Sequence, residues 1–140
     1  MSDPLVSAAL AARARAYAPY SRFAVGAALR CADGSLHAGC NVENAAYPEG
    51  SCAEAGAIAA MVLAAGAPEG RRIAELVVAG GGDAPCTPCG GCRQKIREFG
   101  RPETLLRIVD ATGRERLRLT LAELLPHSFG PETLDGATPA

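Results

Sequence analysis

The stretch Pro88-Cys89-Gly90-Gly91-Cys92-Arg93-Gln94 constrains this 140-residue chain more than any other, and it takes its meaning from Cys52-Ala53-Glu54 earlier on. Two cysteines three apart at the start of a helix-like run put both sulfurs on one face of its first turn. There the unpaired backbone N–H groups and the positive end of the helix dipole favour thiolates. Cys52 opens a second apolar run of helical character and brings a third thiolate to the same point. Glu54 lies two residues on, roughly 200° around the helix. It does not share an ion with its neighbour but leans over the open fourth position as a proton carrier. Three protein ligands, one open position and a nearby carboxylate are the layout of a catalytic zinc site.

Duller readings compete. Taken alone, Cys89 and Cys92 read as well as a redox pair or half of a structural zinc clip as they do as part of a catalytic site. Cys52 with Glu54 argues against both. A redox pair needs neither, and a structural site needs a fourth ligand, for which Cys31, Cys40, Cys86, His37 and His127 are the candidates.

A chain of this length with 49% hydrophobic residues buries a core of its own, and residues 1–140 read as one domain with a mobile tail after about residue 130. No apolar run reaches membrane-spanning length, and Met1-Ser2-Asp3-Pro4 lacks a signal-peptide pattern, so a cytoplasmic location is expected. In a reducing compartment, clustered cysteines point to metal and not to disulfides. A net charge of −1 with 4% aromatic residues offers neither the electrostatic footprint nor the stacking platforms of a nucleic-acid binder. Small molecules are the expected substrates, and neither nucleic acid nor membrane is an expected partner.

Leu5, Val6, Ala9, Leu10, Ala16 and Tyr17 recur at helical spacing, and Pro19 marks the stop. Residues 23–31 and 36–42 read as a hairpin across Ala32-Asp33-Gly34-Ser35, with a loop over 43–51. From 52 to 65 the one charged residue is Glu54. A helix that is apolar all round is covered on every side, so its small residues Ala55, Gly56, Ala57, Ala59 and Ala60 are expected to meet a neighbouring subunit. Residues 73–79 read as a strand, 89–99 as the second cysteine-bearing helix, 105–109 and 114–119 as strands, and 120–125 as a short helix capped by Thr120. Arg114, Arg116 and Arg118 alternate, as on a solvated strand edge. Helices on both faces of a mixed sheet make an α/β three-layer domain.

A carboxylate two residues after the first ligand and a proline before the later cysteine pair fit the zinc deaminase pattern. The chain resembles that superfamily, and within it the small cytidine deaminases. The similarity runs through residues 17–29, 39–48, both cysteine motifs, 123–126 and 129–131, which is nearly the whole chain. It implies an α/β/α fold with a five-stranded mixed sheet, a homotetramer, and one Zn²⁺ per subunit on Cys52, Cys89 and Cys92, with Glu54 as proton carrier. It also implies that Phe23 contacts the pyrimidine, that Asn41 and Glu43 hydrogen-bond the ribose, and that the backbone near Ala53 and Cys89 reads the base. Tyr47 and Phe129 would reach into a neighbour's pocket. By pattern alone Phe23 is a core aromatic and Asn41 and Glu43 are turn formers. The sequence Pro85-Cys86-Thr87-Pro88-Cys89 offers a competing register, but Arg93-Gln94 and a helix follow Cys89 and Cys92, as in the family. Cys86 then reads as a small buried hydrophobe, Cys31 and Cys40 as core, and the two histidines as incidental.

The implied activity is hydrolytic deamination of cytidine and deoxycytidine. One departure bears on the substrate. Three thiolates leave the zinc centre at a net −1, and tetrameric cytidine deaminases with three cysteines commonly carry Arg just after the catalytic Glu, where this chain has Ala55. Relatives acting on other aminopyrimidine nucleosides, such as blasticidin S deaminase, also lack that Arg, which makes such a nucleoside the runner-up substrate. A structural-zinc interaction protein is the rival of a different class. With Ala55 in place, the charge is expected to be offset by the two helix N-termini and by Arg93, the cation nearest in sequence, with Arg97 a surface residue one turn on.

Overall fold

The computed structural model describes residues 2–134. Five strands, β1 (Gly26–Cys31), β2 (Leu36–Cys40), β3 (Ile73–Ala79), β4 (Leu105–Val109) and β5 (Glu115–Thr120), form one sheet in the order β2-β1-β3-β4-β5. β3 and β4 pair in parallel and the other neighbours antiparallel. Helix α1 (Pro4–Arg13) covers one face through Leu5 and Ala9. Helices α2 (Ala53–Ala64), α3 (Gly90–Phe99) and the short α4 (Leu121–Leu124) cover the other, where Ala57, Ile58, Met61, Ile96 and Leu121 meet Leu29, Leu76, Leu106 and Ile108. This is the expected three-layer α/β/α arrangement on a five-stranded mixed sheet.

Because helices lie on both faces, β1 and β3 are apolar almost throughout instead of alternating. β5 is an edge strand, and its arginines stand on a solvated edge as expected, Arg118 pairing with Glu115 at 3.0 Å. The hairpin turn works as its Asp-Gly pair predicts: Gly34 takes a left-handed φ of 87° while the Asp33 carboxylate accepts the Ser35 N–H. Thr120 and Glu123 form a reciprocal capping box on α4. On the α1 side, Arg107 is buried against Glu75 and Asp3, and Asp3 also caps α1 by accepting from Leu5 and Val6. That guanidinium holds the Asp3 carboxyl below its ordinary pKa.

Three expectations change. The first helix stops at Arg13 and does not run on to Tyr17, because Tyr17 is drawn into strand pairing with Val42: its N–H donates to Asn41 O, and its carbonyl accepts from Glu43. Residues 23–25 stay outside β1 because the Val25 N–H goes to the Asn41 side chain. In α2, Gly56 and Ala57 do not face outward as expected. They lie against the sheet, where a Cβ on Gly39 would stand 2.3 Å from Ala57 N and 2.6 Å from Gly56 C. The outward side of α2 carries Ala59, as expected, together with Val62 and Leu63, all exposed.

The contact between Gly39 and α2 sets the height of the helix above β2, and so the position of its first residue. Gly39→Ala is expected to destabilise the fold by about 2–3 kcal/mol. Gly66→Ala, where nothing lies within 4 Å of the added carbon, is expected to stay within about 0.5 kcal/mol of wild type. Denaturant midpoints decide this. Equal midpoints for the two variants would show that α2 is not held by this approach.

Candidate active site

The strand registers bring the carboxyl ends of β2, β3 and β4 and the start of β1 to one end of the sheet: Gly26 lies opposite both Cys40 and Ala79, and Ala79 opposite Val109. Loops leaving strand ends of this kind form ligand sites in α/β folds. Val42 pairs with Ser51 through reciprocal N–H···O bonds of 3.0 and 2.9 Å, so the segment carrying Asn41 and Glu43 lies beside the residue that precedes Cys52.

Two helices begin at this end, each with a cysteine as N-cap. Cys52 and Cys89 both hold extended backbone angles, and their sulfurs turn toward a common point. Cys92 comes up from the first turn of α3. The three sulfurs lie within 4.8 Å of one another, with Cys52 Sγ and Cys89 Sγ 3.8 Å apart. A tetrahedral zinc about 2.3 Å from each sulfur separates two sulfurs by about 3.8 Å. The donor set therefore fits zinc, and it is much too wide for a disulfide. The electrostatics agree. Cys89 is lowered from its ordinary pKa by the Cys92 backbone N–H, while burial pushes Cys52 and Cys92 up. Holding all three as thiolates requires a cation among them.

Glu54 is buried at 4% exposure in the first turn of α2, and burial raises its carboxyl above the ordinary value, partly opposed by its own backbone N–H and the charge of Lys95. It opens onto a cavity of about 400 Å³, a size suited to a small organic ligand. Its lining brings Cys52, Ala53, Glu54 and Cys89 together with Asn41, Glu43, Phe23 and Tyr47.

Asn41 and Glu43 brace this cavity as well as line it. The Asn41 amide accepts the Val25 N–H at 2.8 Å and donates to Phe23 O at 2.8 Å. The Glu43 carboxylate accepts the backbone N–H groups of Tyr20 and Ser21 and the Ser21 hydroxyl, the last of which keeps it below its ordinary pKa. Together they fix residues 20–25 and hence Phe23. Tyr47 is exposed and meets the Tyr20 ring edge-on at 5.8 Å.

Phe129 and Arg93 stand outside this lining. Phe129 is not in the wall of its own chain's cavity; it is an exposed ring beside α3, with its carbonyl accepting from Gln94. Arg93 donates to Pro88 O at 2.8 Å and Leu124 O at 2.9 Å, so it ties the loop before Cys89 to the end of α4. Cys31 is core as expected, whereas Cys40 is only partly buried. Cys86 is half-buried, packs on the core and also lines the cavity. Ser21, Val25 and Thr87 line the cavity too and were not singled out in the sequence. For Ser21 the usable signal was the Tyr20-Ser21-Arg22-Phe23 string itself.

The model of the cytidine and deoxycytidylate deaminase zinc-binding region matches residues 2–107, a span that includes all three sulfurs and Glu54. This chain belongs to that family. A cytidine deaminase of Sporosarcina psychrophila is 38% identical over 136 residues, covering 96% of each chain. One of Mycobacterium tuberculosis is 44% identical over 123 residues, covering 88% of this chain and 85% of that one. Among solved structures, the cytidine deaminase of Burkholderia pseudomallei superposes with a TM-score of 0.80 at 41% identity, covering 92% of this chain and all of the other. Zinc is the cofactor of this family's motif, and the sulfur cluster is built to hold it.

As a member of this family with Cys89 and Cys92 as its later pair, the protein is expected to lose its zinc on Cys92→Ser and to retain it on Cys86→Ser. Metal analysis of the purified variants checks this. A Cys86→Ser protein without zinc beside a loaded Cys92→Ser protein would establish the other register.

Proposed function

We propose that this chain is a cytidine deaminase that hydrolyses cytidine and deoxycytidine to uridine and deoxyuridine with release of ammonia, a reaction of pyrimidine salvage. The observation that carries the reading is that Glu54, with Cys52 and Cys89 of the sulfur cluster, lines one cavity together with Asn41 and Glu43. When bound by Cys52, Cys89 and Cys92, zinc supplies Lewis acidity that lowers the pKa of a water at its fourth position toward neutrality.

The chain's own residues do the rest. Glu54 takes a proton from the attacking water, passes it to ring N3, and delivers a proton to the amino group as it leaves C4. Burial that raises its pKa suits a group that must both accept and release protons. Phe23 packs on the pyrimidine, and the backbone at Ala53 and Cys89 faces the base edge. Asn41 and Glu43 retain hydrogen-bonding capacity beyond their bracing bonds and take the ribose hydroxyl. Arg93 steadies the loop before Cys89 and adds positive charge near the thiolates, alongside the two helix N-termini.

Ala55 favours a second reading, the same chemistry on another aminopyrimidine nucleoside such as blasticidin S. The buried Glu54 weighs against a structural-zinc protein, which has no use for a carboxylate on the open side. We further propose a single cytoplasmic domain, its location in keeping with six free cysteines, and a homotetramer. The exposed Leu63, Tyr47 and Phe129 support a covering neighbour.

Ammonia release from cytidine, deoxycytidine, cytosine, blasticidin S and a cytosine-containing oligonucleotide tests the substrate. Glu54→Gln is expected to keep zinc and lose nearly all turnover on every substrate. Residual activity within about tenfold of wild type would remove Glu54 from the proton path. Glu43→Ala is expected to lower kcat/KM for cytidine at least about tenfold, since a hydrogen bond to a charged group is worth about 1.5–3 kcal/mol, while cytosine changes little. Equal losses on both would leave Glu43 with its bracing role alone.

The homotetramer predicts a solution mass about four times the 14.3 kDa of one chain by light scattering. A monomer mass at micromolar concentration contradicts it.

A further inference from the structure

Helix α3 does more than carry two cysteines. Its outward side grips the chain from Ser128 to Glu132. Arg97 Nε donates to Ser128 Oγ at 2.8 Å, Arg97 Nη2 pairs with Glu132, and Gln94 Nε2 donates to Phe129 O at 3.0 Å. Between these anchors Gly130 lies flat on the guanidinium, where a Cβ would stand 2.4 Å from Cζ and Nη2. His127 turns the chain into this grip with a positive φ of 50°. The Arg97 side chain is only 14% exposed, so the segment covers it, and the expectation of a plain surface arginine does not hold. Residues 131–133, within the tail expected to be mobile, form a 3-10 turn over the same site. Residues 135–140 lie outside the described residues.

The backbone on both sides of Phe129 is thus held by one helix while its ring, 54% exposed, packs into no part of the described core. A chain end that only needed tying down would turn this ring inward, because burial of an aromatic ring is the larger stabilising term. We propose that Arg97 is a positioning residue which, with Gln94, holds Phe129 rigidly outward so that its ring closes the substrate pocket of a neighbouring copy of this chain. The inference rests on the reading of Phe129 as a pocket residue given above. It adds the device that aims the ring, and it links that device to the helix whose first turn holds the metal.

A double-mutant cycle tests it. Arg97→Ala is expected to raise KM for cytidine about tenfold with kcat changed less than about threefold and one zinc per chain retained. Phe129→Ala is expected to do the same, and the double variant to be no worse than Phe129→Ala alone, because Arg97 acts through that ring. Arg97→Lys, which keeps one charged donor toward Glu132 but loses the fork, is expected to fall between. Gly130→Ala approaches from the other side: its methyl lifts the segment off an intact Arg97, and the same rise in KM is expected even if Arg97→Ala folds poorly. If Phe129→Ala leaves KM unchanged, the pocket reading of Phe129 falls and this inference with it. If Phe129→Ala raises KM but Arg97→Ala and Gly130→Ala do not, or if their effects add in full to that of Phe129→Ala, only the positioning role is overturned.

Discussion

Two helices that begin at one point bring their unpaired N–H groups and positive dipole ends together, and such a junction favours an anionic group between them. Here α2 and α3 meet in this way, and the residues that cap them are Cys52 and Cys89. Sulfur stands at both positions where a serine or aspartate oxygen usually caps a helix. The junction is completed instead by thiolates turned toward a shared cation, so one group of atoms closes two helix ends and forms the metal site. The third sulfur, on Cys92, is buried, and burial disfavours its charged form unless the cation is present. Metal binding and helix packing are therefore coupled at this end of the sheet.

The rest of the fold serves to bring those helix ends together. α2 lies so close to β2 that a side chain at Gly39 would collide with the backbone of Ala57. α3 is the crossover between the parallel strands β3 and β4, which places its first turn at the carboxyl end of β3. Arg93 then joins the loop before Cys89 to the end of α4. Gly39 also lies beneath the carbonyl of Ala53, next to Cys52, and Arg93 holds Pro88, next to Cys89, so a shift in either contact reaches a sulfur-bearing residue directly. The buried Glu54 rides on the same first turn of α2 as the Cys52 cap, so its distance from the open side of the cluster is fixed by helical geometry and not by a flexible loop.

Signals that are local in sequence were legible. β3 and β4 are apolar runs interrupted only by Glu75 and Arg107 and closed by turns, the Asp33-Gly34 turn demands its hairpin, and the cysteine spacing with Glu54 indicates the metal site without reference to the fold. What was not legible depends on partners far along the chain. Nothing in the periodicity of residues 5–17 reveals that Tyr17 will pair with Val42, so the first helix was read too long. Gly56 and Ala57 look like any small residues on an apolar helix until Gly39 is seen beneath them. Arg97 reads as a surface arginine because its partners Ser128 and Glu132 lie 31 and 35 positions away. Asn41 and Glu43 were read either as turn formers or as sugar contacts, and their bonds show that bracing the loop is one of their roles.

The placement of the aromatic rings carries this division further. The chain has only three tyrosines and three phenylalanines, and its core is built almost wholly from aliphatic side chains. Phe99 is the one ring packed against that core, whereas Tyr17, Tyr20, Phe23, Tyr47 and Phe129 are all exposed. In each of the segments that carry Phe23 and Phe129, side-chain hydrogen bonds hold the backbone and leave the ring outside: Asn41 to Phe23 O, and Gln94 to Phe129 O. Large apolar rings fixed at the base and left uncovered stabilise nothing within one chain. On the proposed function they would meet what arrives from outside, a flat heterocycle in the cavity or the surface of another copy. A chain with so few rings, most of them exposed, has its folding energy in aliphatic packing, and the proposal gives those rings the work of recognition.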